Sequence, residues 1–575
     1  MKAWKKILIY LAFIIGILLA LVLICFAVMY FSPGTSILGY EYILYNKKVT
    51  NEYTISSIPS ISGIQAVEII TEESDIYIYP NTQENVLKVY HNQGLSGFVK
   101  SVNADLNMDI SIQTKSFEES LVSYKTFCLN LNEPNGWVAK SNAAVYVYLP
   151  NNISPSTVYA RSNSGNIYYV SENIEEIEVE GQKQTKTHTL NCTNLYMKTG
   201  NYGKLSIDNK HNISNYYLKT SRGKVSFYDV TAISANTVKF ETDSGLFDLR
   251  NANGDAKLTL SNKLEIRSYG DYAGPSVYIN KLVGDLYVDA DNGLYNIGTV
   301  GSYGVYKKVA MTINSSKINI GTVYGEVSIL GQGNNISNEI YVGNHYYDPE
   351  HISITSVYEN GSAPVTIENL DAHASFDSTS GSINIKTATN KSNIYAYSNS
   401  GSISVKYVSS EEDHPETKLT ILTKTGNVNL NNVSCLFEVH VLENSSSSSL
   451  NIVLDAVAYK QESGVVYDNI INAKNRKVNL TLEGVSDNLQ FRIVSTNEVK
   501  IAEGTVGQNI SYKYDADGVV NNDYLLETPG YEDFGYCYRI GYNKGNENYN
   551  SNAFDKWGKL LITTSNNTYV NSRGL

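Results

Sequence analysis

Cysteine is nearly absent from this chain: there are five in 575 residues, and no two stand in CxxC spacing. That excludes a disulfide-framed scaffold and a thiolate zinc knuckle. Cys25 falls in an apolar run. Cys128, Cys192, Cys435 and Cys537 are scattered, and three pairings stay open if all four oxidise. Histidine is scarce too, with eight residues, none in HExxH or HxH spacing, which removes the zinc-protease pattern. Proline numbers only 11, so strands are rarely interrupted. No GxSxG elbow and no P-loop occur, which removes the common serine-hydrolase and nucleotide-cradling motifs. No long amphipathic helical pattern follows residue 31. The net charge is −12, the opposite of the basic footprint that nucleic-acid binding needs.

What the chain has in quantity is tyrosine (46) and glycine (41), and the glycines recur in one phrase. Alternating apolar positions flank [Ser/Thr]-x-[Ser/Thr]-Gly in five ungapped copies. The cores are Ser162–Gly165, Thr242–Gly245, Ser378–Gly381, Ser398–Gly401 and Thr423–Gly426. Looser copies lie at Gly223, Gly293 and Gly325. Gly203, Gly223 and Gly245, like Gly381, Gly401 and Gly426, stand 20 to 25 residues apart. A fixed period of that length marks a solenoid, in which coils stack on one another.

Each phrase reads as strand, tight corner, strand. Period-2 alternation points Ile383, Ile385, Ile403 and Val405 inward, and Asn384, Lys386, Ser404 and Lys406 outward. The hydroxyls can bond nearby backbone. Glycine either accepts φ > 0 or lets backbone approach closely. The expected fold is all-β: a β-solenoid or β-helix-like repeat array behind an N-terminal transmembrane helix. An ordinary β-sandwich with similar hairpins is the alternative.

Residues 7–31 are uncharged and long enough to span a bilayer, and Lys2, Lys5 and Lys6 precede them. This favours an uncleaved anchor over a signal peptide, with residues 1–6 cytoplasmic and the bulk outside a plasma membrane. The first 31 residues carry three lysines and no acid, so the rest carries −15. After the anchor we expect a juxtamembrane spacer (32–60) and an N-terminal β region of atypical coils or cap (61–154). The repeats (155–435) and a C-terminal β region (436–575) follow. Gly343–Pro349 reads as an inserted loop, and residues 444–449 as a serine-rich loop.

Candidate sites are few. His345, Asp348, Glu350 and His351 form the one local His/acid cluster, without compact metal-ligand spacing. Asp285, Asp289 and Asp291 hint at a calcium loop, but Gly293 takes the third ligand's place and no Glu closes it. Gly331-Gln332-Gly333 starts like GxGxxG, yet Ile336 fills the third glycine's place. We therefore expect no catalytic residues, no metal and no cofactor. Tyr159, Tyr168, Tyr395 and Tyr397 fall at outward repeat positions and are the binding candidates; tyrosine also simply covers strand surface.

The Ser-x-Ser-Gly-x-Ile-x-Val phrase behind one membrane segment resembles the bacterial adhesin domain family. The matching stretches are 376–386, 394–406 and 419–430, with 158–169 and 238–249 next. The resemblance covers residues 155–435 and offers no catalytic residues. It implies an adhesin-like, non-catalytic β-solenoid at the cell envelope, with a membrane partner through its helix and a glycan or surface protein as ligand. Two rivals are an envelope stress sensor or accessory protein, and a polysaccharide-active β-helix enzyme.

Overall fold

The computed structural model describes residues 2–31, 36–37, 40–55, 63–100, 107–117, 122–132, 136–150, 153–179, 182–208, 213–228, 231–250, 256–268, 274–332, 335–347, 355–389, 391–407, 417–444, 448–455, 468–483, 491–502, 509–512, 536–540 and 558–573. Two compact units emerge, Met1–Ser261 and Asn262–Leu575. Outside the first helix, the described regular structure is strand.

In the first unit two parallel sheets grow coil by coil. One runs Ala66–Thr71, Thr157–Ser162, Asn194–Thr199, Asn215–Thr220 and Ala232–Thr242. The other runs Gly136–Leu149, Asp75–Pro80, Ile167–Val170, Leu205–Asp208, Lys224–Phe227 and Leu246–Leu249. In-register stacking makes apolar columns. Val67, Val158, Leu195, Tyr216 and Val238 form one, and Ile76, Ile167, Leu205, Val225 and Phe247 another; all are fully buried. Each such side chain contributes about 1.5–3 kcal/mol on burial, which a single coil could not collect alone.

The second unit repeats the scheme. Val365, Ile383, Ile403, Val428, Leu450 and Val478 stack in one buried column. Ala374, Ile394, Leu419 and Phe437 stack in a second. Ile385 and Val405 are buried as the alternation requires, whereas Lys386 and Lys406 are exposed and Asn384 and Ser404 half-buried. Every copy pairs with its neighbour one coil away, which is the solenoid and not the sandwich.

The repeated phrase is an internal corner. In several copies the first hydroxyl accepts from the glycine N–H three residues on: Ser162 Oγ from Gly165 at 2.8 Å, Thr220 Oγ1 from Gly223 at 2.9 Å, Thr423 Oγ1 from Gly426 at 3.1 Å. First hydroxyls also donate to the preceding coil: Thr220 to Gly203 O at 3.1 Å and Ser378 to Gly361 O at 3.0 Å, the carbonyl that also receives the Gly381 N–H. Of the glycine's two uses, these corners take close approach. A Cβ on Gly223, Gly381, Gly401 or Gly426 would sit under 3.0 Å from a carbonyl oxygen of the previous coil. Positive φ occurs instead at Gly325 (132°) and Gly361 (61°).

Antiparallel ribbons finish the first unit. Tyr40–Ile55 pairs with Leu87–Lys100, which pairs with Gly136–Leu149; Asn107–Ser116 pairs with Ser123–Asn132, which borders Ala66–Thr71. They cover strand edges that would otherwise recruit other chains. Residues 32–60 thus contain a 16-residue strand. Beyond Cys435, where the phrase stops, Leu436–Val441, Ser449–Asp455, Asp468–Lys474, Lys477–Glu483, Gly558–Thr564 and Thr568–Arg573 keep stacking in parallel.

The loop reading needs correction. The expected loop from Gly343 is strand Glu339–Tyr346, while 348 and 349 lie outside the described residues. The reason is a second glycine column: a Cβ on Gly321 would meet Gly298 O, and one on Gly343 would meet Gly321 O. Cys128, Cys192 and Cys435 are buried thiols in no disulfide, and burial pushes Cys192 and Cys435 up to about 12. Helix Lys2–Phe31 contains a 25-residue segment, Trp4–Val28, of mean hydropathy 3.3, long and apolar enough to cross a membrane.

Candidate binding surface

The titratable candidates do not converge. His345 is fully buried: its Nε2 meets Gly325 O at 3.0 Å and its Nδ1 meets the Tyr358 hydroxyl at 2.9 Å. Both ring nitrogens are thus spent inside the core, and burial lowers its pKa to about 4. Asp348, Glu350 and His351, its expected partners, lie outside the described residues. Asp285 Oδ1 accepts from Lys308 N at 3.0 Å, and Asp291 Oδ1 from Asn314 Nδ2 at 3.0 Å. Among the described residues no three His, Cys, Asp or Glu side chains gather as a metal site.

The tyrosine candidates separate into three situations. Tyr168 sits in a ladder on the outer face of the first unit. Tyr146, Tyr77 and Tyr168 occupy successive register positions. Tyr77 stacks on Tyr168 at 4.3 Å between ring centroids and on Tyr146 at 4.8 Å. A second tier pairs Tyr79 with Tyr148 at 5.5 Å, and Tyr90 tilts onto Tyr146 at 6.0 Å. The parallel strand spacing of about 4.8 Å brings identical side chains to stacking distance without distortion. Burial first, and then the neighbouring Tyr168, hold the Tyr77 phenol above its ordinary range. Stacking spends ring faces on one another, so the ladder presents ring edges and hydroxyls outward.

Tyr159 was expected outside and is buried, with 9% of its surface exposed. Its phase is outward from the solenoid core, but Phe117, which follows the Asn107–Ser116 strand, packs over it at 5.6 Å. Tyr196 and Tyr217 continue this row in register and stack at 4.3 Å. Beside the row lies a shallow pocket lined by Tyr159, Tyr196, Tyr217, Lys198, Lys219, Lys239 and Glu241, among others. Burial works against the Glu241 charge, yet Lys219 at 2.8 Å and Lys239 at 3.0 Å hold its carboxyl below the ordinary value.

Tyr395 and Tyr397 lie on an outer face of the second unit. Tyr395 is 43% exposed, and Tyr397 is half-buried and donates to Asn399 Oδ1. Their register neighbours are Ser375 and Thr420, and Asp377 and Leu422, so no aromatic ladder forms there.

A family model described as Toastrack DUF4097 matches residues 64–435. The chain belongs to the Toastrack DUF4097 family. No curated protein and no solved structure matches it. The Toastrack match begins at Ile64, so it takes in the strands that carry Tyr77, Tyr79, Tyr146 and Tyr148. Those four residues were not among the sequence candidates. The signal was present: Ile76-Tyr77-Ile78-Tyr79 and Val145-Tyr146-Val147-Tyr148 share one phase. Only the pairing of those two strands shows that the phases coincide on one face.

Proposed function

We propose that this Toastrack chain is a membrane-anchored, non-catalytic binding protein of the cell envelope, adhesin-like in role, with a glycan or surface protein as ligand. In this reading Trp4–Val28 spans the plasma membrane, Lys2, Lys5 and Lys6 lie on the cytoplasmic side, and the solenoid stands outside. The observation that supports it is the outward tyrosine ladder Tyr146–Tyr77–Tyr168 with its second tier. Half-exposed tyrosines combine apolar area with a hydroxyl and cost little ordering entropy, which suits recognition surfaces. The test is a glycan array and whole-cell binding with the full chain in nanodiscs, comparing wild type with Tyr77→Ala/Tyr168→Ala. Binding that the double variant loses supports the reading; a wild-type chain that binds neither glycans nor cells overturns it. Protease added to intact cells should degrade the solenoid, and its full protection would overturn the topology.

A polysaccharide-cleaving activity has one observation in its favour. Glu359, Asp377 and Tyr397 occupy successive register positions on an outer face. Burial, and then the Glu359 charge, raise the Asp377 carboxyl. Such a pair can divide acid and base roles. Depolymerisation of a polysaccharide by wild type and not by Asp377→Asn would establish this activity; no turnover by wild type removes it.

A further inference from the structure

We propose that the outer face of the Thr157–Ser162 sheet in the first unit binds an acidic polysaccharide lying along the solenoid axis. Arg161, Lys198 and Lys219 would meet its charges, and Tyr217 its sugar units. This rests on the binding-protein reading above and names the site and the ligand class.

Three observations carry it. First, Arg161, Lys198 and Lys219 occupy one register column, so positive side chains recur on three consecutive coils about 4.8 Å apart. Arg161 and Lys219 are exposed and Lys198 half-buried. Second, the adjoining column is Tyr159, Tyr196 and Tyr217, ending at Lys239. Tyr217 is its half-exposed ring, stacked on Tyr196 within 5° of parallel. The shallow pocket lies along these two columns. Third, the local charge is inverted. Three lysines and one carboxylate, Glu241, line the pocket of a chain whose net charge is −12.

The ligand class follows from this geometry. A straight row of cations at fixed spacing suits a polymer with an anion on successive units. The half-exposed ring of Tyr217 beside it, held by the stack on buried Tyr196, offers apolar contact to a sugar ring while its hydroxyl can bond one. A compact anion would use one coil only. The shallow groove lets an extended chain pass from coil to coil without closing over it.

The experiment uses the full chain in nanodiscs of zwitterionic lipid, with immobilised polygalacturonate (carboxylate), dextran sulfate (sulfate) and neutral dextran. We expect binding to one or both charged polymers, weakening as salt rises, and none to dextran. Lys198→Gln/Lys219→Gln should weaken it by about tenfold or more. Lys386→Gln/Lys406→Gln, which removes two exposed lysines of the second unit, should leave it unchanged. Arg161→Gln serves as a second variant, since its side chain is exposed and its replacement leaves the core intact. Equal loss in the Lys386/Lys406 variant, full binding by both first-unit variants, or binding of single-stranded DNA as tight as that of polygalacturonate would each overturn the proposal. If wild type binds whole cells and Lys198→Gln/Lys219→Gln binds them equally, this site fails while the binding-protein reading stands. If wild type binds no cells and no glycan, the reading itself fails.

Discussion

Gly401 lies directly beneath Gly381: a Cβ built on Gly401 would fall less than 3.0 Å from the Gly381 carbonyl oxygen. Gly426 stands in the same relation to Gly401, so the corner glycines form a column whose spacing leaves no room for a methyl group. The repeat is therefore glycine for steric and not conformational reasons.

Gly401→Ala should destabilise its coil by roughly 1–3 kcal/mol, because backbone must move against backbone. Gly304 provides the contrast, with φ +74° and nothing within 4 Å of its missing Cβ. Asparagine tolerates that conformation, so Gly304→Asn should shift the thermal midpoint little while Gly401→Asn shifts it strongly. If the two substitutions cost the same, the steric account of the column is wrong.

The stacked core gives a second expectation. Ile403 is fully buried between Ile383 and Val428, whereas Ser404 is half-exposed on the other side of the strand. Ile403→Ala should cost about 2–5 kcal/mol and Ser404→Ala close to nothing. Contacts are mostly between neighbouring coils. Hydrogen exchange should therefore rise around residues 383–430 in the first variant only; equal changes in both would mean the faces are reversed.

Much of this was legible because a period of two needs only local sequence. The alternation around Ile383 and Ile403 fixed which side faces the core, and the recurring glycine fixed the coil length. What was not legible depends on distant chain. Tyr159 has the outward phase, and only Phe117, from another strand, buries it. Arg161, Lys198 and Lys219 are isolated letters in the sequence and become a row only through register. The segment from Gly343 reads as a loop, yet the alternation there slips by one without ending: Ile340 and Val342 face inward, and so does His345, one position out of phase. The matching irregularity at Gly321 on the neighbouring strand absorbs that slip.

Buried His345 makes the second unit sensitive to pH. Its pKa falls from 6.5 to about 4 on folding, because burial penalises the imidazolium. The unfolded chain then binds the extra proton. The stabilising effect is complete above about pH 6.5 and drains away as pH drops toward 4. The full window is worth on the order of 3 kcal/mol. Urea midpoints at pH 7.5, 5.5 and 4.5 should decline in wild type. In His345→Gln, which cannot titrate, the decline should be shallower by that amount. Parallel pH profiles would show that other groups govern acid unfolding.

The glycine column ends on an arginine. Arg476 has no exposed surface, and its Nη1 donates to Gly426 O at 2.7 Å while Nη2 donates to Lys424 O. These are carbonyls of the last phrase corner, at Thr423–Gly426, where no further Ser-x-Ser-Gly follows to supply hydroxyl and N–H donors. A planar guanidinium can reach both oxygens at once, and a lysine ammonium cannot reproduce that fork. Arg476→Ala would take the guanidinium donor from Lys424 O and leave Gly426 O only the longer Thr423 Oγ1 contact at 3.4 Å, at about 1–3 kcal/mol for a lost buried bond, and would open a cavity besides. We expect Arg476→Ala to lower the unfolding midpoint markedly and Arg476→Lys to recover only part of the loss. In hydrogen exchange the weakened amides should cluster in 418–433 and 468–483, with 365–388 unchanged. Full recovery by lysine would mean that charge alone matters there. Loss spread evenly over the second unit would mean that Arg476 supports the whole unit and does not specifically terminate the corner column.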